Sequence, residues 1–216
     1  MTKKIVIPGE LVTEERKRLG DHVFVRDGKI YSDVLGLVEE DPKIASVVPL
    51  EGTYKPKLND IIIGVIVSET FSGFMTDINS FYNSFLSKEK VNEPLRPGSI
   101  ISAKIVRVNE VNEADLDDVR VFYGGEIISL SPVKVPRVIG KNGSMMEVLK
   151  KGTNSNFVVG RNGRIWAKGG NIELLAQAIE KIAREAHQSN LTNKITEFLA
   201  QQRNVLMNNS VNNNAK

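Results

Sequence analysis

Gly140-Lys141-Asn142-Gly143 is the stretch whose residue types and spacing best fit a chemical task. Two glycines without side chains let a sugar–phosphate backbone come close to the main chain. Lys141 adds a mobile cation beside them. A helix starting at Ser144 directs free amides and the positive end of its dipole at the same point, a ready anion site. The surrounding charge agrees. Residues 134–168 carry eight basic side chains (Lys134, Arg137, Lys141, Lys150, Lys151, Arg161, Arg164 and Lys168) against the single acid Glu147, in a chain whose formal net charge is only +3. A local excess of this size is a candidate electrostatic footprint for a polyanion, and charge alone fits a solvated face with no partner equally well.

The elements that must hold this loop can be read around it. Val133 to Ile139 reads as a strand. Met145, Val148 and Leu149 recur at i, i+3, i+4 and predict a short helix after the loop. Asn156–Gly160 and Arg164–Lys168 flank Arg161-Asn162-Gly163, a hairpin signal. Asn171 caps a longer helix whose apolar face is Ile172, Leu175, Ile179, Ile182 and Ala186. A glycine loop in this setting is the KH arrangement, which clamps about four nucleotides of single-stranded RNA. Gly140, Lys141, Asn142, Gly143, Arg137, Lys150, Lys151 and Arg161 are the candidate contacts. Residues 201–216, rich in asparagine, read as a disordered tail, with 191–199 available to extend the last helix.

Upstream, the sequence is strand-rich. Val23 to Tyr31 alternates on both sides of Asp27-Gly28, a two-residue hairpin signal, and Val34–Val38 and Ile44–Leu50 read as further strands. A boundary falls near 52–57. Beyond it come Asn59–Val67 with Gly64 inside, Phe71–Ile78, an excursion over 79–93, Ser99–Val108, an acidic loop over 110–118, Val119–Tyr123 and Glu126–Leu130. Five strands in about 75 residues without a long helix fit a small closed barrel of the OB type. Phe71, Phe74, Lys104 and Arg107 are its candidates for base stacking and phosphate contact. Strict alternation puts Lys104 and Arg107 on different faces, and either phenylalanine equally suits the core. The expected class is mainly β with an α+β C-terminal part: an N-terminal β domain over 1–55, an OB-type barrel over 57–131 and a KH domain over 132–200.

The order of these parts resembles the KH-containing type of archaeal exosome RNA-binding cap subunit. The resemblance rests on Ile5-Val6-Ile7-Pro8-Gly9-Glu10-Leu11, Gly28-Lys29-Ile30-Tyr31, Asn59-Asp60-Ile61-Ile62-Ile63-Gly64-Val65-Ile66, Leu95-Arg96-Pro97-Gly98 and Val138-Ile139-Gly140-Lys141-Asn142-Gly143-Ser144-Met145. It covers roughly residues 5–185. Asn59-Asp60 departs slightly from the Gly-Asp common in the S-one motif, the OB variant that the barrel resembles. The resemblance implies a non-catalytic, trimeric cap on a ring of RNase-PH-like subunits that degrade RNA phosphorolytically from the 3′ end. It further implies that the N-terminal strands dock on the ring, the barrels surround its entrance, and the Gly140–Gly143 loop contacts incoming RNA.

Other function classes lack their residues. There is no cysteine, so thiolate chemistry, disulfides and zinc ribbons are excluded. The two histidines, His22 and His187, are far apart and read as exposed. Glu110, Glu113, Asp115, Asp117 and Asp118 lack the glycine and distal glutamate of an EF-hand and read as a solvated loop. No Walker loop, dinucleotide fingerprint, secretory signal or membrane-length apolar run is present. The expectation is a cytoplasmic protein without metal or cofactor that is not itself an enzyme. A transcription or translation regulator built from a barrel and a KH module is the alternative, although such factors usually carry two KH copies.

Overall fold

A computed structural model of the chain describes residues 4–186 and 190–213, with the side chains of Glu40 and 203–213 outside that description. The reading of His187 as an exposed helix-end residue therefore lies outside the described residues, as do the last three residues of the tail. The chain divides into two compact units, residues 1–52 and 53–216.

The first unit is all β. Its strands are β1 (Ile5–Val6), β2 (Leu11–Thr13), β3 (Arg18–Leu19), β4 (Val23–Arg26), β5 (Lys29–Ser32), β6 (Gly36–Glu40) and β7 (Ile44–Pro49). They form one sheet in the order β1-β6-β7-β3 and another in the order β2-β5-β4. The β4–β5 hairpin turns at Asp27 and Gly28, both with positive φ (52° and 76°). That geometry matches the twist of the flanking strands.

The second unit begins with a closed five-stranded barrel: β8 (Ile61–Glu69), β9 (Gly73–Asp77), β10 (Ser84–Ser87), β11 (Ile100–Val108) and β12 (Ala114–Phe122). The circuit runs β10-β12-β11-β8-β9, antiparallel except for the parallel β10–β12 pair. Ile62, Ile66, Ile101, Ile105, Leu116 and Leu86 fill its interior. Two sequence expectations are corrected here. The expected acidic loop is mostly strand, because Ala114 and Leu116 alternate inward while Asp115 and Asp117 point outward; the outward charges masked the period. The barrel also closes with β10, inside the excursion over 79–93, and not with Glu126–Leu130.

That last segment, β13 (Glu126–Ser129), opens the C-terminal part. Then come α1 (Val135–Ile139), α2 (Ser144–Thr153), β14 (Asn156–Val159), β15 (Arg164–Lys168), α3 (Ile172–Arg184) and α4 (Leu191–Asn213). The sheet is antiparallel in the order β13-β15-β14. The strand expected over 133–139 is instead a 3-10 turn followed by α1. Pro132 and Pro136 sit in the first positions of those turns, where no amide bond is lost. Val135 and Val138, at i and i+3, are both buried. Asn171 caps α3 by accepting the Leu174 amide at 2.9 Å. Helices α2 and α3 pack Met145, Leu149, Leu175, Ile179 and Ile182 against Phe157 and Ile165 of the sheet. Helix α4 adds Leu191, Ile195 and Leu199 to that core and stays helical to Asn213, past the expected start of a disordered tail at 201. No glycine or proline interrupts the chain between those limits.

Candidate nucleic-acid interface

The glycine loop joins α1 to α2 through three positive-φ positions, Gly140, Asn142 and Gly143, with Lys141 between the first two. The Gly140 amide donates to the Pro136 carbonyl at 2.9 Å and closes α1. Gly140 has φ 73° and ψ 173°, and a Cβ there would lie 2.7 Å from the Met145 nitrogen. Packing alone thus requires glycine at 140. Gly143 has φ 80° and opens onto free space, with nothing within 4 Å of an added Cβ. Between them Asn142 adopts φ 52°, which asparagine tolerates best among residues with a side chain. Lys141 and Asn142 are exposed. The loop therefore offers a bare outer surface at Gly143, directly ahead of the first amides of the ten-residue α2. A cleft of about 410 Å³ runs beside it, lined by Arg137, Gly140, Lys141 and Ser144 on one side and by Asn190 and Thr192 on the other.

The basic cluster splits into two groups, with the half-buried Lys134 ahead of α1 outside both. Arg137, Lys141, Lys150, Lys151 and Arg161 are exposed. Lys150 also leans over the Phe157 ring at 5.7 Å. Arg164 and Lys168 have structural work. Arg164 donates to the Asp77 carbonyl at 2.7 Å and to its carboxylate at 2.6 Å, and Lys168 donates to the Tyr123 carbonyl at 2.7 Å. Burial would raise the Asp77 carboxyl, but the Arg164 guanidinium and the Asn79 amide override it and hold the group below its ordinary value.

These bonds belong to a seam that locks barrel and KH part together. Asn162, fully buried, accepts the Ile63 amide at 3.2 Å and donates to the Ile63 and Ile78 carbonyls at 2.8 Å each. The Arg161 amide donates to the Ile61 carbonyl at 2.8 Å. Trp166 stacks on Phe122 with centroids 4.1 Å apart. Sequence reasoning saw Asn162-Gly163 only as a turn. No local signal could have found it, because the partners of Asn162 lie 84 to 99 residues away.

The barrel candidates separate as well. Phe71 is fully exposed at the β8–β9 turn, which the Thr70 hydroxyl braces through Gly73. Phe74 is 5% exposed, within the barrel core and with the Lys88 ammonium 5.8 Å from its ring, so it is corrected to a core residue and withdrawn as a stacking candidate. Lys104 and Arg107 lie opposite Asp117 and Asp115, two residues of one face. A bulge between Ile105 and Arg107 shifts the alternation, so the expectation of different faces is also corrected. That face is compensated, however: Arg107 pairs with Asp115 at 2.7 Å, and Lys90 pairs with Asp117 at 2.9 Å. Among the described residues, no group of three His, Asp or Glu side chains is placed to hold a metal ion, and no helix is long and apolar enough to cross a membrane.

Comparison with known proteins decides the family. Residues 3–51 match the family model described as exosome RNA binding protein RRP4 N-terminal domain. The exosome complex component Rrp4 of Methanosarcina barkeri is 38% identical, over 94% of this chain and 84% of its own. The chain belongs to the archaeal Rrp4 family. The member from Methanothermus fervidus is 38% identical over 91% of this chain and 95% of its own, and that from Pyrococcus furiosus is 39% identical over 91% and 83%. A crystal structure described as an exosome complex RNA-binding protein is similar with a TM-score of 0.64 and 32% identity, covering 71% of this chain and 99% of that one. The mainly β architecture, with its closed barrel and helical C-terminal part, is the family's fold.

Proposed function

We propose that this chain is a non-catalytic RNA-binding cap subunit of the exosome. It binds single-stranded RNA and delivers it to a phosphorolytic 3′-to-5′ exonuclease ring of RNase-PH-like subunits in the cytoplasm, as part of a trimeric cap. The N-terminal unit docks on the ring, the barrel frames its entrance, and the KH part holds the strand. The observation that carries this reading is the open face of Gly143 ahead of α2, flanked by Lys141 and Arg137. The Gly143 and Ser144 amides already donate to the Gly140 and Lys141 carbonyls, so what a phosphodiester backbone meets here is bare main chain at the positive end of α2 together with the Lys141 and Arg137 cations. The relatives' names, exosome complex component and exosome RNA-binding protein, support the assembly.

The roles of Gly140, Lys141, Asn142, Gly143, Arg137, Lys150, Lys151, Arg161 and Phe71 are part of this proposal. Gly140 shapes the loop and the others face the ligand. Lys104 and Arg107 contribute weakly, because aspartates oppose them. The test is purification of the tagged chain from native cells, with intact mass measurement, followed by an RNA-decay assay. Recovery of RNase-PH-like subunits, with decay by the ring but not by the isolated chain, is expected. Recovery of RNA polymerase or ribosomes instead would replace the reading with a regulator. Phosphate-dependent decay by the chain alone would overturn its non-catalytic part.

A further inference from the structure

The loop between β9 and β10, Ile78–Asn83, carries two neighbouring exposed aromatics that neither the glycine loop nor the barrel candidates account for. Phe81 is 74% exposed and Tyr82 is 52% exposed. A loop that presents two large rings to water is unusual unless the rings have a partner. This loop is also held at its base. Ile78 is buried and its carbonyl accepts from Asn162 at 2.8 Å. Asn79, at φ 61°, takes its amide to Asp77 at 2.8 Å and donates from its side chain to the Asn162 carbonyl at 2.8 Å. The rings therefore start two and three residues from an anchor that is bonded to the KH hairpin. An anchored loop loses little entropy when it captures a ligand.

The topology brings this loop close to the glycine loop. Strand β14 starts two residues after α2, and the open end of the β14–β15 hairpin is bonded there, the Asn171 amide donating to the Thr153 carbonyl at 2.9 Å, so the tip at 160–163 lies at the end of the hairpin away from the C-terminus of α2. The Gly163 carbonyl accepts the Leu130 amide at 2.8 Å, and a Cβ at Gly163 would touch Pro132. From Pro132 to Gly140 the chain is helical, a path of about 12–16 Å. A KH loop grips about four nucleotides. A strand held there reaches the seam within or just beyond that footprint.

We propose that Phe81 and Tyr82 form a base-stacking platform at the barrel–KH seam, receiving the single-stranded RNA that leaves the glycine loop. The chemistry of the setting favours nucleic acid over a protein partner. Within the loop Ile-Asn-Ser-Phe-Tyr-Asn the residues beside the rings are polar and uncharged; the Asp77 carboxylate at its base is paired with Arg164, and the exposed Ile61 lies on the barrel side of the seam. The exposed Arg161 follows β14 at the same hairpin and supplies a cation for the backbone. Base stacking on aromatics is indifferent to sequence, which suits a protein that must accept any substrate. The platform rests on the RNA-binding reading above and extends it.

The test compares fluorescent oligouridylates of about 4 and about 12 nucleotides, binding to full-length wild type, the double variant Phe81→Ala/Tyr82→Ala, and Gly143→Asp. Both aromatics are exposed, so the double variant is expected to melt as wild type does, and Phe81→Trp/Tyr82→Trp serves as the rescue. The platform predicts that the double variant binds the longer RNA about tenfold or more weakly, binds the shorter RNA as wild type does, and is restored by tryptophan. Gly143→Asp weakens both. If the double variant binds both lengths normally while Gly143→Asp does not, the platform is wrong and the RNA-binding reading stands. If it binds RNA normally but fails to assemble with partner subunits, the loop is a protein contact and the platform is wrong. If wild type binds neither RNA, both fall.

Discussion

Replacing Gly143 by aspartate puts a negative charge where the phosphodiester is expected, and little else changes. A Cβ at 143 meets nothing within 4 Å, so no packing is disturbed. The residue keeps φ near 80°, which costs a side chain up to about 1–2 kcal/mol, less for Asp and Asn than for others. Asparagine at the same position carries the same shape and strain without the charge, so the Asp-to-Asn ratio isolates electrostatics. At about 5 Å, a carboxylate and a phosphate repel by roughly 3 kcal/mol at an effective dielectric of 20 and by less than about 1 kcal/mol in bulk water. Lys141 and Asn142 are exposed, so the site is partly wet and about 1–2 kcal/mol is expected, a five- to thirtyfold weaker Kd. The assay is fluorescence anisotropy with an unstructured oligoribonucleotide, run at low and high salt. The gap between Asp and Asn is expected to narrow with salt, because screening shortens the reach of both charges. Equal affinity of the two variants at low salt would show that no phosphate approaches Gly143. Gly140 is unsuitable for this comparison, since a Cβ 2.7 Å from the Met145 nitrogen perturbs the fold directly.

Asn162→Ala leaves the Ile63 amide and the Ile63 and Ile78 carbonyls without their side-chain partner; at about 1–3 kcal/mol per orphaned group, urea denaturation should show a loss of about 3–9 kcal/mol, with faster hydrogen exchange at Ile63. The Asp77 carboxyl lies below its ordinary value in the folded chain, so the unfolded chain takes up the proton first. Its contribution to stability is then complete above about pH 4–5 and lost as pH falls through the lower folded value, and urea midpoints of Asp77→Asn should fall less steeply below that pH than those of wild type. Phe74→Ala should cost about 3–5 kcal/mol of stability as a core truncation. Phe71→Ala should leave the melting temperature unchanged and weaken RNA binding by about 1–3 kcal/mol if the ring stacks on a base.

The readable parts of the sequence were those where local pattern and tertiary role coincide. The Asp27-Gly28 hairpin, the Asn171 cap and the α2 and α3 periodicities depend on a few adjacent residues, and the structure has each of them. Errors arose where one pattern hid another. The β-branched run Val133–Ile139 looked extended, yet its proline placement and the i, i+3 burial of Val135 and Val138 belong to a helix. Alternating aspartates disguised β12 as a loop, and one bulge put Lys104 and Arg107 on a common face. The four residues of the glycine loop were legible from their types. That Gly140 answers to packing and Gly143 to open space was not, because it depends on where Met145 and Ser144 come to rest. The seam was least legible of all, since Asn162 and Arg164 meet partners 84 to 99 and 87 residues away.

The most direct measurement is photocrosslinking of 4-thiouridine RNA to the full chain, followed by mass spectrometry of the adducted peptides. The account predicts adducts concentrated on the peptides spanning Arg137–Lys151, which hold the glycine loop and the start of α2. Adducts confined to residues 1–52, with none around Gly143, would contradict it.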